Sequence, residues 1–201
     1  MPSPRPTLII LAGPNGAGKT TLFETRIAPF SPIPFINADI IQRNLLKSDQ
    51  PEAAYEAARM AQEQRQMHFE RRQSFATETV FSHPSKLGLI RQAQSLNYRV
   101  TIIHIGLELP QLSVARVNQR VEDGGHFVPE QKIHERFERN GPLIRRAVIA
   151  SDKGQVVDNS ILNKQPRPII HFERGRIRSQ FPPFPKWVQS LYGEDLNKEG
   201  S

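Results

Sequence analysis

Apolar residues in this chain fall into short continuous runs separated by longer, mixed stretches. Thr7-Leu8-Ile9-Ile10-Leu11-Ala12 reads as a strand buried on both faces. Phe35-Ile36-Asn37-Ala38-Asp39 reads as a second, short strand ending in an acid, Ser74 to Val80 as a third, and the β-branched stretch Tyr98 to Leu107 as a long fourth. Gln155-Val156-Val157-Asp158 is a fifth, and Pro168 to Arg178 predicts a strand or a hairpin turning at Arg174-Gly175. Between them lie segments rich in good helix formers: Gly18 to Arg26, Ile40 to Lys47, Pro51 to about Arg72, Ser85 to Leu96, Pro110 to about Glu122 and Glu130 to Ala150. Pro29 to Pro34 and Asp123 to Pro129 read as loops, and one short aromatic helix follows Pro182. Strands alternating with helices imply βαβ units, a mostly parallel sheet and helices on both of its faces.

The first strand runs directly into Gly13-Pro14-Asn15-Gly16-Ala17-Gly18-Lys19-Thr20, a complete G-x-x-x-x-G-K-[ST] phosphate loop at a strand–loop–helix junction. Glycines let such a loop curl so that successive backbone N–H groups point at a polyphosphate, and the positive end of the following helix adds to the attraction. Lys19 is placed to reach the β- and γ-phosphates and the Thr20 hydroxyl to sit on Mg²⁺. The expected architecture is therefore α/β, a three-layer fold of the phosphate-loop NTPase type with a mostly parallel central sheet and a helical lid. It is expected as one domain over residues 1–201, with the lid at about 110–140 and an extension at 180–201.

Composition narrows this reading only slightly. With 201 residues, 37% hydrophobic and 23% charged, the chain suits one globular domain. The absence of cysteine excludes disulfides and thiolate metal sites. None of the six histidines has H-E-x-x-H spacing, so zinc is not expected. The opening Met1 to Pro6 has no apolar signal-peptide core and no run approaches a membrane span, so a cytoplasmic enzyme without membrane contact is the expectation. Lys and Arg number 27 against 20 Asp and Glu, and the net charge of +7 suits an anionic ligand: a nucleotide, a nucleotide-sugar or nucleic acid.

In parallel sheets ligands bind beyond the carboxyl ends of the strands, which puts the phosphate loop, Asp39 and Glu78 on one rim. Asp39 there either accepts a proton from an attacking hydroxyl or caps the helix that follows. Glu78 either faces a substrate, serves as the distant acid of a metal site, or is a strand-end carboxylate neutralised by an arginine. Arg116 and Arg120 share one helix face and Arg136 and Arg139 share the next, around Gly124-Gly125-His126; small kinases carry charge-neutralising lids in such a segment. Thr79, His83 and His126 complete the candidate substrate contacts. A kinase acting on a hydroxyl competes with a nucleotide-driven switch or nucleic-acid-binding ATPase, and Asp39 discriminates, because only the kinase needs a base.

Taken together these residues resemble the zeta-toxin family of phosphate-loop kinases, in its short stand-alone form. The matching pieces are Ala12 to Thr21, Ile36-Asn37-Ala38-Asp39, Thr77-Glu78-Thr79, Gln119-Arg120-Val121-Glu122, Gly124 to Pro129 and Asp158-Asn159-Ser160. The resemblance implies γ-phosphoryl transfer from ATP or GTP with Mg²⁺ to a hydroxyl of an acceptor such as a UDP-amino-sugar, and pairing with an antitoxin. It implies Asp39 as base, Lys19 as phosphate-binding lysine, Glu78 as a substrate-side acid and Arg120 as a lid arginine. The second lid arginine of the family falls in a shorter loop, near His126, with Arg136 as a substitute from the next helix.

Overall fold

The computed structural model describes residues 5–48, 50–122 and 128–198. Seven strands form one sheet in the order β2-β3-β1-β4-β5-β6-β7. They are β1 (Thr7–Ala12), β2 (Phe35–Ile36), β3 (Phe75–Thr79), β4 (Arg99–Gly106), β5 (Lys153–Asp158), β6 (Arg167–Glu173) and β7 (Arg176–Gln180). The first five are mutually parallel, and β6 and β7 add an antiparallel hairpin at one edge. Arg174 and Gly175 turn that hairpin with φ of 48° and 78°, the positive-φ pair that a two-residue turn between twisted strands needs. The hairpin expected from the sequence is present.

Central strands are rich in buried apolar residues because helices cover both faces. On one face Leu8, Ile10, Phe75, Val100 and Ile102 pack with Phe69, Ile90, Ile144 and Tyr192 in one continuous core. That core draws on α3 (Pro51–Glu70), α4 (Lys86–Ser95), α6 (Glu130–Ala150) and α7 (Lys186–Asn197). On the other, Leu11, Ile103, Ile105 and Val157 meet Leu22 and Phe23, which follow the phosphate loop. A small third cluster, Val117, Val128 and Ile133, joins α5 (Pro110–Glu122) to α6. The helix α7 lies on the sheet: Tyr192 is fully buried and its hydroxyl meets His104 Nδ1 at 2.7 Å, while Trp187 donates to Asp158 Oδ1 at 2.9 Å.

Two local expectations are corrected. The helix after the phosphate loop, α1 (Lys19–Leu22), passes into a wider π-turn over Phe23–Ile27 instead of running as α-helix to Arg26. The second strand ends at Ile36, where pairing with β3 stops. Asn37 then leaves the sheet and caps α2 (Ala38–Ile41), its Oδ1 accepting from the backbone N–H of Asp39 at 2.8 Å and of Ile40 at 3.3 Å. Asp39 therefore stands in the first turn of a helix, not on a strand end. Among the described residues no helix is long and apolar enough to cross a membrane.

Candidate active site at the phosphate loop

The phosphate loop hangs between β1 and α1 and is held from three sides. Gly13 lies under β4, so close that a Cβ would stand 2.2 Å from the Ile105 carbonyl oxygen. The Ser113 hydroxyl of α5 donates to the Asn15 carbonyl, and Asn159, just past β5, donates from Nδ2 to the Ala17 carbonyl at 2.9 Å. Gly16 and Gly18 adopt φ of 68° and 84°, which turns the backbone inward. Among the described residues no hydrogen bond occupies the amides of Gly16 and Gly18, which leaves them available to an anion.

Lys19 is buried and curls back over the loop, its Nζ donating to the Gly13 and Pro14 carbonyls at 3.2 and 3.0 Å. Burial lowers its pKa, and the nearby carboxylates of Glu78 and Asp39 oppose that shift. Thr20 donates from Oγ1 to Glu78 Oε2 at 2.7 Å, so the end of β3 is tied to the first turn of α1. The contact seen for Glu78 is with a hydroxyl.

A pocket of about 230 Å³ opens above the loop. Asn15, Gly16, Lys19, Asp39, Glu78, Thr79, Arg120 and Arg136 all line it, although they come from the phosphate loop and five separate elements. Arg120 Nη1 stands 3.9 Å from Asp39 Oδ2 with both side chains partly exposed, a contact of small energetic weight by itself. Arg136 enters from α6, one turn before Arg139, which instead pairs with Glu135 on its own helix. Arg116 sits lower on α5, at 3.5 Å from the Gly16 carbonyl, with its pKa lowered by burial and raised again by Asp158.

Some expected residues stand elsewhere. His83 is exposed and outside the pocket; its Nδ1 accepts from the Ser85 backbone N–H and meets the Ser85 hydroxyl, shaping the turn before α4. Thr21 is exposed on the outer side of α1 and does not line the pocket. His126 and the Gly124-Gly125 pair lie outside the described residues. Three positions that hold the site had no role assigned from the sequence: Asn37 and Asn159, which fall within the pieces that carry the family resemblance, and Ser113, which does not. Asn37 did carry a signal, being a favoured N-cap residue two positions before the acid.

A sequence profile of the family described as Zeta toxin matches residues 1–165, most of the chain. The chain belongs to the zeta toxin family. An uncharacterised protein of Haemophilus influenzae is 26% identical over 129 residues, covering 64% of this chain and 91% of that protein. Among solved structures, the PezAT toxin–antitoxin system of Streptococcus pneumoniae superposes with a TM-score of 0.66 at 18% identity, over 98% of this chain and 83% of that one. The AvrRxo1-ORF1:AvrRxo1-ORF2 complex solved with sulphate ions gives 0.70 at 14% identity, over 96% of this chain. The chain spans 64% of the length of that larger protein. These likenesses establish the mostly parallel α/β fold shared with the family.

The residues around Thr20 also fit a magnesium ion. Among the described residues no three histidines or acids gather into a site that could hold a metal alone. Thr20 and Glu78 together offer a hydroxyl and a carboxylate beside the phosphate loop. Mg²⁺ takes few protein oxygens and completes its shell with water and substrate phosphates, which this small oxygen set suits.

Proposed function

We propose that this chain is a phosphotransferase that moves the γ-phosphoryl group of ATP or GTP onto a hydroxyl of a small, anionic acceptor such as a UDP-amino-sugar. The observation that carries the reading is the convergence of Lys19, Asp39, Glu78, Arg120 and Arg136 on one pocket above the phosphate loop. A nucleotide switch also uses a phosphate loop, a metal contact and arginines; what suits transfer to an alcohol is the carboxylate of Asp39 in the same pocket, a group able to take the acceptor's proton.

The chemistry follows from the side chains. The loop amides and Lys19 hold the β- and γ-phosphates. Thr20 and Glu78 would hold Mg²⁺, which when bound supplies charge neutralisation between the β- and γ-phosphates. Asp39 accepts the proton of the acceptor hydroxyl as its oxygen bonds to the γ-phosphorus. The bond from that phosphorus to the β–γ bridging oxygen breaks, and the nucleoside diphosphate leaves with the electron pair. Arg120 and Arg136 neutralise the charge on the three equatorial oxygens during transfer. We further assign the chain a toxin role with an antitoxin partner, supported by its family and by a fold shared with the toxin–antitoxin system of Streptococcus pneumoniae.

Incubation with γ-labelled ATP, Mg²⁺ and a panel of nucleotide-sugars, nucleotides and RNA tests the reading. Label is expected on a small hydroxyl-bearing molecule, and Lys19→Ala should abolish its transfer and the thermal shift on adding nucleotide. Release of label only as inorganic phosphate, whatever acceptor is present, would favour the switch.

A further inference from the structure

Helix α7 lies beyond residue 165, where the match to the family ends, yet it is linked to the phosphate loop through two strand ends. Trp187, the chain's one tryptophan, stands in the first turn of α7 and lays its ring across Gly106 at the end of β4. A Cβ on Gly106 would stand 2.4 Å from the indole, so the ring rests where the strand has no side chain. The edge of His104, at 5.2 Å between ring centroids, fixes the plane of the indole. In that position Nε1 donates to Asp158 Oδ1 at 2.9 Å, at the end of β5.

From Asp158 the contacts run on to the loop. Its Oδ1 also accepts from the Ser160 hydroxyl at 2.6 Å, and Ser160 Oγ in turn accepts from the Glu108 backbone N–H at 2.8 Å. Between these two held residues stands Asn159. Its backbone N–H donates to the Gly106 carbonyl at 3.0 Å, and its Nδ2 donates to the Ala17 carbonyl at 2.9 Å. The same Nδ2 would be 2.8 Å from a Cβ on Gly18, so the amide lies directly over a glycine of the loop. Asp158 itself is buried and does not line the phosphate pocket. Two donors on one of its oxygens and the nearby charge of Arg116 offset the cost of that burial, and the result is a fixed peptide at Asn159.

We propose that Trp187 is a positioning residue for nucleotide binding: by holding Asp158 it holds Asn159 against Ala17, and so keeps the phosphate loop in the shape that receives a polyphosphate. The carboxy-terminal helix thus serves the site, although none of its residues lines the phosphate pocket. Amides already held in place lose less freedom on binding than mobile ones, so loosening this relay weakens affinity for the triphosphate. The coupling is reciprocal: nucleotide in the loop tightens the indole's hold on Asp158. The proposal rests on nucleotide binding at the loop, which a kinase and a switch share, and is independent of the acceptor.

The test measures binding of a non-hydrolysable ATP analogue with Mg²⁺ to the full chain by calorimetry, for the wild type, Trp187→Phe, Asn159→Ala and the double variant. Phenylalanine keeps a ring over Gly106 and removes the indole donor. Trp187→Phe should raise Kd by about tenfold, the order of one hydrogen bond to a charged group. Asn159→Ala should raise it at least as much, and Trp187→Phe should add nothing in that background, because its effect passes through Asn159. A merely structural indole would lower Tm and leave Kd unchanged, and that result overturns the proposal. So does an equal loss from Trp187→Phe with and without Asn159. In the wild type the single indole N–H signal in NMR should shift and exchange more slowly as the analogue is added. A signal indifferent to a saturated loop overturns the proposal without any variant. If the wild type does not bind the analogue, the proposed function and this inference both fall; binding that ignores Trp187 sinks this inference alone.

Discussion

The hydroxyl of Thr20 and the carboxylate of Glu78 are 58 positions apart and meet at 2.7 Å. The contact joins the start of α1 to the end of β3, neighbouring strands in the sheet being β1 and β3. It places a negative charge beside buried Lys19, where it offsets part of the cost of burying that ammonium. Glu78→Gln preserves shape and can still accept from Thr20 while removing the charge. Such a change around a metal should weaken apparent Mg²⁺ affinity by about 10–100-fold. The Mg²⁺ dependence of phosphoryl transfer reads this directly; an unchanged midpoint would assign Glu78 to the acceptor alone.

Asp39 and Asn37 divide two duties that the sequence left on one residue. Asn37 caps α2, so Asp39 is not required to do so. Asp39→Asn should therefore leave thermal stability unchanged while slowing transfer by about 10²–10⁴-fold, the usual worth of a general base. Asn37→Ala should do the reverse in the first instance, costing about 1 kcal/mol through the lost cap. Calorimetry and transfer rates on the two variants separate these roles. Equal loss of stability in both would show that Asp39 holds the fold.

Arg120 and Arg136 reach the pocket from α5 and α6, the two helices that carry the expected lid. Their charge is of most use when negative charge gathers on the transferring phosphoryl group. Arg120→Ala should lower kcat by about 10³-fold with a smaller change in KM for nucleotide. Arg136→Ala is expected to fall in the same direction, and steady-state kinetics on the pair shows which of them matters more. A rise in KM at constant kcat would mark Arg120 as a ground-state contact.

His104 gives the fold a pH dependence apart from the site. It is buried on β4 against Tyr192, and burial pushes its pKa down from 6.5 to about 3. Above pH 6.5 it is neutral in both folded and unfolded chains and adds no dependence. As pH falls from about 6.5 towards 3 the unfolded chain takes up a proton that the folded chain refuses, so stability is lost at about 1.4 kcal/mol per pH unit. His104→Gln can keep a hydrogen bond to Tyr192 and should flatten this part of the stability profile. Denaturant melts of both proteins between pH 6.5 and 4 test it; parallel profiles would place the acid sensitivity in other groups.

Much of this protein was legible without coordinates because the relevant signals are local. Eight consecutive residues from Gly13 to Thr20 specify the phosphate loop, since backbone curvature and the lysine both depend on near neighbours. The continuous apolar run Leu8 to Ala12 and the β-branched stretch Val100 to Ile105 announce strands covered on both faces, and the breakers Gly and Pro announce their ends. The short β2 was overread because Phe35 and Ile36 have only two partners on β3, a matter of sheet geometry that apolar character does not report. Everything that depends on which chain segments meet was decided by the tertiary structure. It set the Thr20–Glu78 bond, the common pocket of Asp39, Arg120 and Arg136, and the exclusion of His83. The strand order brings β3 beside β1, and no periodicity within a segment records what another segment places opposite it.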